Sequence, residues 1–307
     1  MAEPFARIYP PPMFPTIACR PVSDSAPIVG STLSETNMIT ALTRRVAFTA
    51  ALVVAASSPS LSQIDPSARF LDNCRRNRSD NEQFCEVRKL SMPASKALTV
   101  DGRDNGGITV HAWDKNEVQV VAMVQAQAES EQEARDIARQ VVVAGSNGTL
   151  RAEGPRTARR QSWSVSYEVW TPKNTELGLT ASNGGISVDG IEARMNLETV
   201  NGGLTLTDVD GDVRGVTTNG GITAQLGGDR WRGSGLDLRT SNGGVHLVIP
   251  SNYSAVLETG TVNGGLDIGF PVTVQGAIGR QFSAQLGGGG ATIRAVTTNG
   301  GVSIRRR

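Results

Sequence analysis

The chain has 307 residues, and 30 Lys and Arg against 29 Asp and Glu leave a formal net charge of +1. That balance calls for neither nucleic acid nor an anionic membrane as partner, and aromatics at 5% are sparse for platforms that stack bases or sugars. The skewed residue is glycine: 28 of the 35 lie between Gly178 and the C-terminus, so the excess belongs to one region and to its fold.

Residues 1–37 hold seven of the 14 prolines, including Pro10-Pro11-Pro12, without apolar periodicity. Met38, Arg44-Arg45, the apolar stretch Val46–Ala56 and the small polar tail Ser57–Ser62 have the order of a secretory signal peptide over 38–62. An apolar run of about 11 residues is too short to span a bilayer, which needs ~20. Translation is therefore expected to start at Met38, with residues 1–37 an upstream extension and a mature N-terminus near Gln63. No transmembrane anchor is expected in the mature chain. Residues 63–96 hold Cys74 and Cys85, an even pair once Cys19 is assigned to the leader. They read as a disulfide in an oxidising compartment, with two free thiols as the alternative. A metal site lacks ligands, because 73–89 contains no His and no third Cys.

Residues 97–176 read as a β-rich part with one short helix. Ala97–Val110 and Glu117–Gln127 alternate as strands. Glu129–Gln140 carries acids early and Arg late, as a helix dipole prefers. Val141–Glu153 and Ser162–Thr171 return to strand. Trp163, Tyr167 and Trp170 read as core aromatics, or as a cover for the end of the region that follows.

Residues 177–307 are a repeat. After an isolated copy at Asn105, Asn-Gly-Gly recurs as Asn183-Gly184-Gly185, Asn201-Gly202-Gly203, Asn219-Gly220-Gly221, Asn242-Gly243-Gly244, Asn263-Gly264-Gly265 and Asn299-Gly300-Gly301. The steps are 18, 18, 23, 21 and 36 residues, the last read as two eighteens with Leu286–Gly290 as a degenerate copy. Three and five positions after each Asn the residue is apolar or Ala, and two positions before it stands Ala181 or a Thr. A unit of 18 is too short for helix-pair repeats and suits one turn of a β-solenoid. The expected fold is thus mainly β: a single-stranded β-solenoid of about seven coils, with a mixed cap of strands and one helix at its N-terminal side. The glycines are expected to bend the strand through positive φ, and stacked Asn side chains to bond from coil to coil. Independent Asn-Gly hairpins are the competing reading, disfavoured by the matched columns. Arg305-Arg306-Arg307 reads as a charged end that discourages end-to-end stacking.

The Thr-x-Asn-Gly-Gly-aliphatic-x-aliphatic units, with the stretches Leu98–Trp113, Val165–Trp170 and Leu197–Gly221, resemble a bacterial family known as putative adhesins. The likeness covers residues 97–307. It implies an exported β-solenoid with envelope or surface placement and adhesion or envelope-stress roles, and it carries no catalytic residues.

Chemistry is sparse. Neither His111 nor His246 stands beside a nucleophile motif. Asp208, Asp210 and Asp212 lack the Gly and Glu of a calcium hand loop, Val213 and Asn219 standing there instead, and because Val209 and Val213 match Ile191 and Met195 of the previous coil the acids read as outward residues. Gly287–Gly290 has no following Lys-Ser/Thr for a phosphate loop. The outward column Ser187, Thr205, Thr223, His246, Asp267 and Ser303 holds one carboxylate, poor for a catalytic groove and suited to extended contact with a protein or glycan. The expected protein is a monomeric, non-catalytic binding or scaffold protein without cofactor, periplasmic or at the cell surface, with an envelope protein or glycan as partner. A polysaccharide-active β-helix enzyme and an envelope-stress accessory protein are the alternatives.

Overall fold

Strict alternation gives each repeat strand one apolar face, and stacking in register buries that face without any helix. The computed structural model describes residues 65–76, 81–271 and 280–307. The expected leader and signal segment over 1–62 lie outside the described residues. The described residues open with α1 (Pro66–Arg76), β1 (Glu82–Pro93), β2 (Ala97–Asp101), β3 (Ile108–Trp113) and β4 (Glu117–Ala128). Then come α2 (Glu131–Gln140), β5 (Val142–Ser146), β6 (Thr149–Glu153) and β7 (Ser162–Pro172). Strand pairs follow: β8 (Glu176–Ala181) with β9 (Ile186–Asp189), β10 (Glu192–Thr199) with β11 (Leu204–Thr207), and β12 (Asp210–Asn219) with β13 (Ile222–Gln225). Next are β14 (Gly235–Asn242) with β15 (Val245–Ile249) and β16 (Ala255–Asn263) with β17 (Leu266–Ile268). The chain closes with β18 (Gln281–Leu286), β19 (Thr292–Asn299) and β20 (Val302–Arg306).

The strands form two 10-stranded sheets. Sheet 1 runs β1-β4-β7-β3-β9-β11-β13-β15-β20-β17, and sheet 2 runs β18-β16-β19-β14-β12-β10-β8-β2-β6-β5. Pairing is parallel from β7 to β17 and from β16 to β6, with antiparallel strands only at the margins. Among the described residues the protein is therefore mainly β with two helices, and its parallel two-sheet stack is that of a β-solenoid. Ile186, Leu204, Ile222, Val245 and Val302 lie in one register row of sheet 1, all at most 2% exposed. Leu177, Met195, Val213, Leu236, Ile293 and Leu257 form the facing row in sheet 2. The stack passes without interruption from β8 and β9 onto β2 and β3.

The Asn-Gly-Gly corners show why these residues recur. Each Asn Nδ2 donates to the Oδ1 of the next Asn along the stack, from Asn263 through Asn299, Asn242, Asn219, Asn201 and Asn183 to Asn105, at 2.7–3.2 Å. The buried hydroxyls of Thr199, Thr217, Thr240, Thr297 and Thr261 donate to the first-glycine carbonyl of the adjoining corner at 2.7–2.8 Å. A Cβ on Gly184, Gly202, Gly220, Gly243, Gly264 or Gly300 would stand 1.9–2.2 Å from a neighbouring glycine carbonyl oxygen. Close approach of backbone to backbone, then, selects the first glycine. The expectation that positive φ selects it is corrected: of the described corner glycines only Gly300 lies in that region, at φ 155°.

Three further expectations are overturned. The repeats do not stack in chain order. The C-terminal pair β19–β20 sits between β14–β15 and β16–β17, with Thr297 between Thr240 and Thr261 and Asn299 between Asn242 and Asn263. The 36-residue step is therefore not two eighteens. Gln281–Leu286 is an edge strand antiparallel to β16, because 281–290 supplies neither the Thr nor the Asn that a corner needs. Secondly, the N-terminal side carries two helices rather than one; α1 is joined to β1 by the Cys74–Cys85 disulfide, with Cα atoms 6.4 Å apart. Thirdly, Arg305–Arg307 do not form a free end. Arg305 pairs with Asp267, Arg306 lies over the Phe270 ring, and Arg307 bonds Asp208 and the Leu226 carbonyl.

Candidate functional site

The outward column predicted from the repeats forms one rank across sheet 1. In space its order is Thr109, Ser187, Thr205, Thr223, His246, Ser303, Asp267, each opposite the next on a neighbouring parallel strand. Beside it runs the row of second glycines. A Cβ on Gly185, Gly203, Gly221, Gly244 or Gly301 would meet only a glycine carbonyl oxygen at 3.2–3.5 Å, and one on Gly265 would meet nothing within 4 Å. Packing therefore constrains the second glycine far less than the first, as a tight contact rather than an impossible one. Its missing side chain leaves a shelf of exposed backbone, a shallow depression of about 620 Å³ bordered by Thr223, His246, Ser303 and Asp267.

The rank is a poor hydrolase site. Ser303 lies between His246 and Asp267, whereas a triad needs the imidazole between nucleophile and acid. Asp267 is also engaged by Arg305, which holds its carboxyl below the usual range. Among the described residues no group of three or more His, Cys, Asp and Glu is placed to hold a metal, and no helix is long and apolar enough to cross a membrane.

The acids around Gly211 separate. Asp212 is exposed and faces Arg194 at 3.6 Å. Asp208 adopts φ 48° and bonds Arg307 at 3.0 Å. Asp210 is buried rather than outward, accepting from the backbone N–H of Arg232 at 2.7 Å and from its Nε at 2.8 Å. The partner, 22 residues on, was invisible to a comparison of adjacent repeats.

The aromatics of β7 separate too. Tyr167 is an inward core residue, 1% exposed, so it does not cover an open end. Trp163 donates Nε1–H to the Pro155 carbonyl at 3.0 Å. Trp170 lies on the opposite face and stacks on His111, ring centroids 5.6 Å apart. His111 Nε2 lies 3.2 Å from the buried Glu168, and Nδ1 lies 3.7 Å from Asp189. Sequence reasoning missed this cluster, since β3 and β7 meet across 57 residues.

No family model and no curated protein matches the chain. Solved structures of several bacterial putative adhesins match most of it. A putative cell adhesion protein from Clostridium sporogenes covers 73% of this chain and 100% of its own at 10% identity, TM-score 0.39. A putative adhesin from Bacteroides fragilis covers 72% and 97% at 10% identity, TM-score 0.34. A putative lipid binding protein from Parabacteroides distasonis covers 75% and 100% at 10% identity, TM-score 0.28.

Proposed function

We propose that this is an exported, non-catalytic binding or scaffold protein of the cell envelope, presenting the outer face of sheet 1 to an extended protein or glycan. The observation that carries the reading is the second glycine of each corner. A side chain there needs only a few tenths of an ångström of give, against an outright clash at the first glycine, yet the position stays bare from coil to coil, keeping the shelf beside the hydroxyl rank open. A linear ligand can lie along such a shelf with its polar groups against Thr205, Thr223, His246 and Ser303. The Cys74–Cys85 disulfide and the signal-like segment over 38–62 support export.

The test is retention of the purified protein on envelope fractions, with Gly221→Gln and Gly244→Gln combined. The added side chains point outward, so the variant should melt within about 1 kcal/mol of the parent. Its retention should fall at least about tenfold, the equivalent of ~1.4 kcal/mol. Equal retention of a folded variant would place the binding face elsewhere. Release of reducing ends from an envelope polysaccharide, lost in His246→Ala, would favour an enzyme.

A further inference from the structure

The Asn ladder has a direction, and its donor end is unfilled. Every Nδ2 donates toward the β7 side, ending with Asn183 on Asn105. The next corner, between β6 and β7, is the loop 154–161 and offers no Asn, so Asn105 has no rung to donate to. A cleft of about 490 Å³ opens there, bordered by Arg103, Asp104, Asn105, Arg156, Trp163 and Tyr167. Tyr167 supplies a second, independent feature. Its hydroxyl is fully buried and has no hydrogen-bond partner among the described residues, a condition that costs free energy and that native cores avoid. Burial pushes the phenol above the usual tyrosine range, so it remains a neutral donor. No described residue holds the guanidinium of Arg103 or Arg156 in an ion pair. Arg103 is fixed in a left-handed conformation, φ 51°, by its N–H bond to the Asp101 carboxylate at 2.9 Å.

We infer that this cleft binds a carboxylate-bearing sugar, separately from the shelf on sheet 1. The two guanidiniums match a carboxylate, Asn105 and Tyr167 donate to ring or hydroxyl oxygens, Asp104 accepts from sugar hydroxyls, and Trp163 gives an apolar wall. The single carboxylate among these groups is why a sugar acid fits better than a bare anion.

The experiment is calorimetric titration of the full chain with a galacturonate trimer, N-acetylneuraminate, the methyl ester of the trimer, and acetate. At least one of the two acidic sugars should bind, and the methyl ester and acetate should bind at least about tenfold more weakly. Tyr167→Phe removes an unsatisfied buried hydroxyl, so it should melt at or above the parent temperature while binding about tenfold more weakly. Arg156→Gln should weaken binding with the melt unchanged. No binding of either acidic sugar up to about 10 mM, acetate binding as tightly as the sugars, or Tyr167→Phe binding like the parent would each overturn the inference. Envelope retention through the shelf is read with the Gly221 and Gly244 variant and is unaffected by these results.

Discussion

Gly202→Ala and Gly203→Ala change adjacent residues by one methyl group each, and the corner geometry gives them opposite fates. The new Cβ of Gly202→Ala would stand 2.1 Å from the Gly184 carbonyl oxygen, so the two corners must part by about 1 Å in a close-packed stack. That carbonyl accepts the buried Thr199 hydroxyl at 2.8 Å. Losing the bond leaves a buried donor and acceptor unmet, about 1–3 kcal/mol. The Asn201–Asn183 rung at 2.7 Å is strained by the same movement, adding about 0.5–1.5 kcal/mol. Against this, replacing glycine restricts the unfolded chain and returns about 0.4–1 kcal/mol. The net expectation is a loss of about 0.5–4 kcal/mol. For Gly203→Ala the contact is 3.2 Å to the Gly221 carbonyl oxygen, and the unfolded-state gain roughly cancels the small shift, leaving about ±0.5 kcal/mol. Urea unfolding followed by circular dichroism measures both. If the two variants unfold at the same midpoint, backbone contact does not select the first glycine and the account of the repeat is wrong.

Three other perturbations test separate parts of the fold. Cys74→Ser should cost about 2–3 kcal/mol and speed hydrogen exchange in α1 and β1, while β10–β13 exchange as before; uniform acceleration would show the disulfide to be global. Asp210→Ala should lose about 2–4 kcal/mol in thermal melting, because the buried carboxylate takes two hydrogen bonds from Arg232; a loss near zero would restore the outward reading. Deleting residues 292–307 should abolish cooperative unfolding, since β14 and β16 then lose their common neighbour, and a peptide of residues 288–307 should restore it. Undiminished cooperativity after deletion would mean that the C-terminal pair is peripheral.

Most of the architecture was legible because it is local. Val188, Leu206, Ala224, Leu247 and Ile304 face inward for the period-two reason that makes a strand visible in sequence, and the Thr and Asn columns mark corners whatever their neighbours. The order of stacking was not legible, for a related reason. Each Asn-Gly-Gly corner presents the same donor amide and hydroxyl to one side and the same acceptor oxygens to the other, so any copy fits beside any other. Asn299 completes a rung between Asn242 and Asn263 as well as it would beyond Asn263. Spacing alone therefore cannot rank the two arrangements. What separates them is 281–290, which has no Thr or Asn for a corner and pairs antiparallel on the outside of β16. The buried fate of Asp210 was hidden because its partner Arg232 lies in the irregular connection before β14, and the meeting of His111 with Glu168 because nothing in the repeat columns shows that β7 lies beside β3. The two candidate sites divide along this line. The shelf on sheet 1 follows from one repeated position and could be read column by column. The cleft at Asn105 exists only because the neighbouring corner, residues 154–161, breaks the repeat, and a broken repeat is invisible until the coil beside it is known.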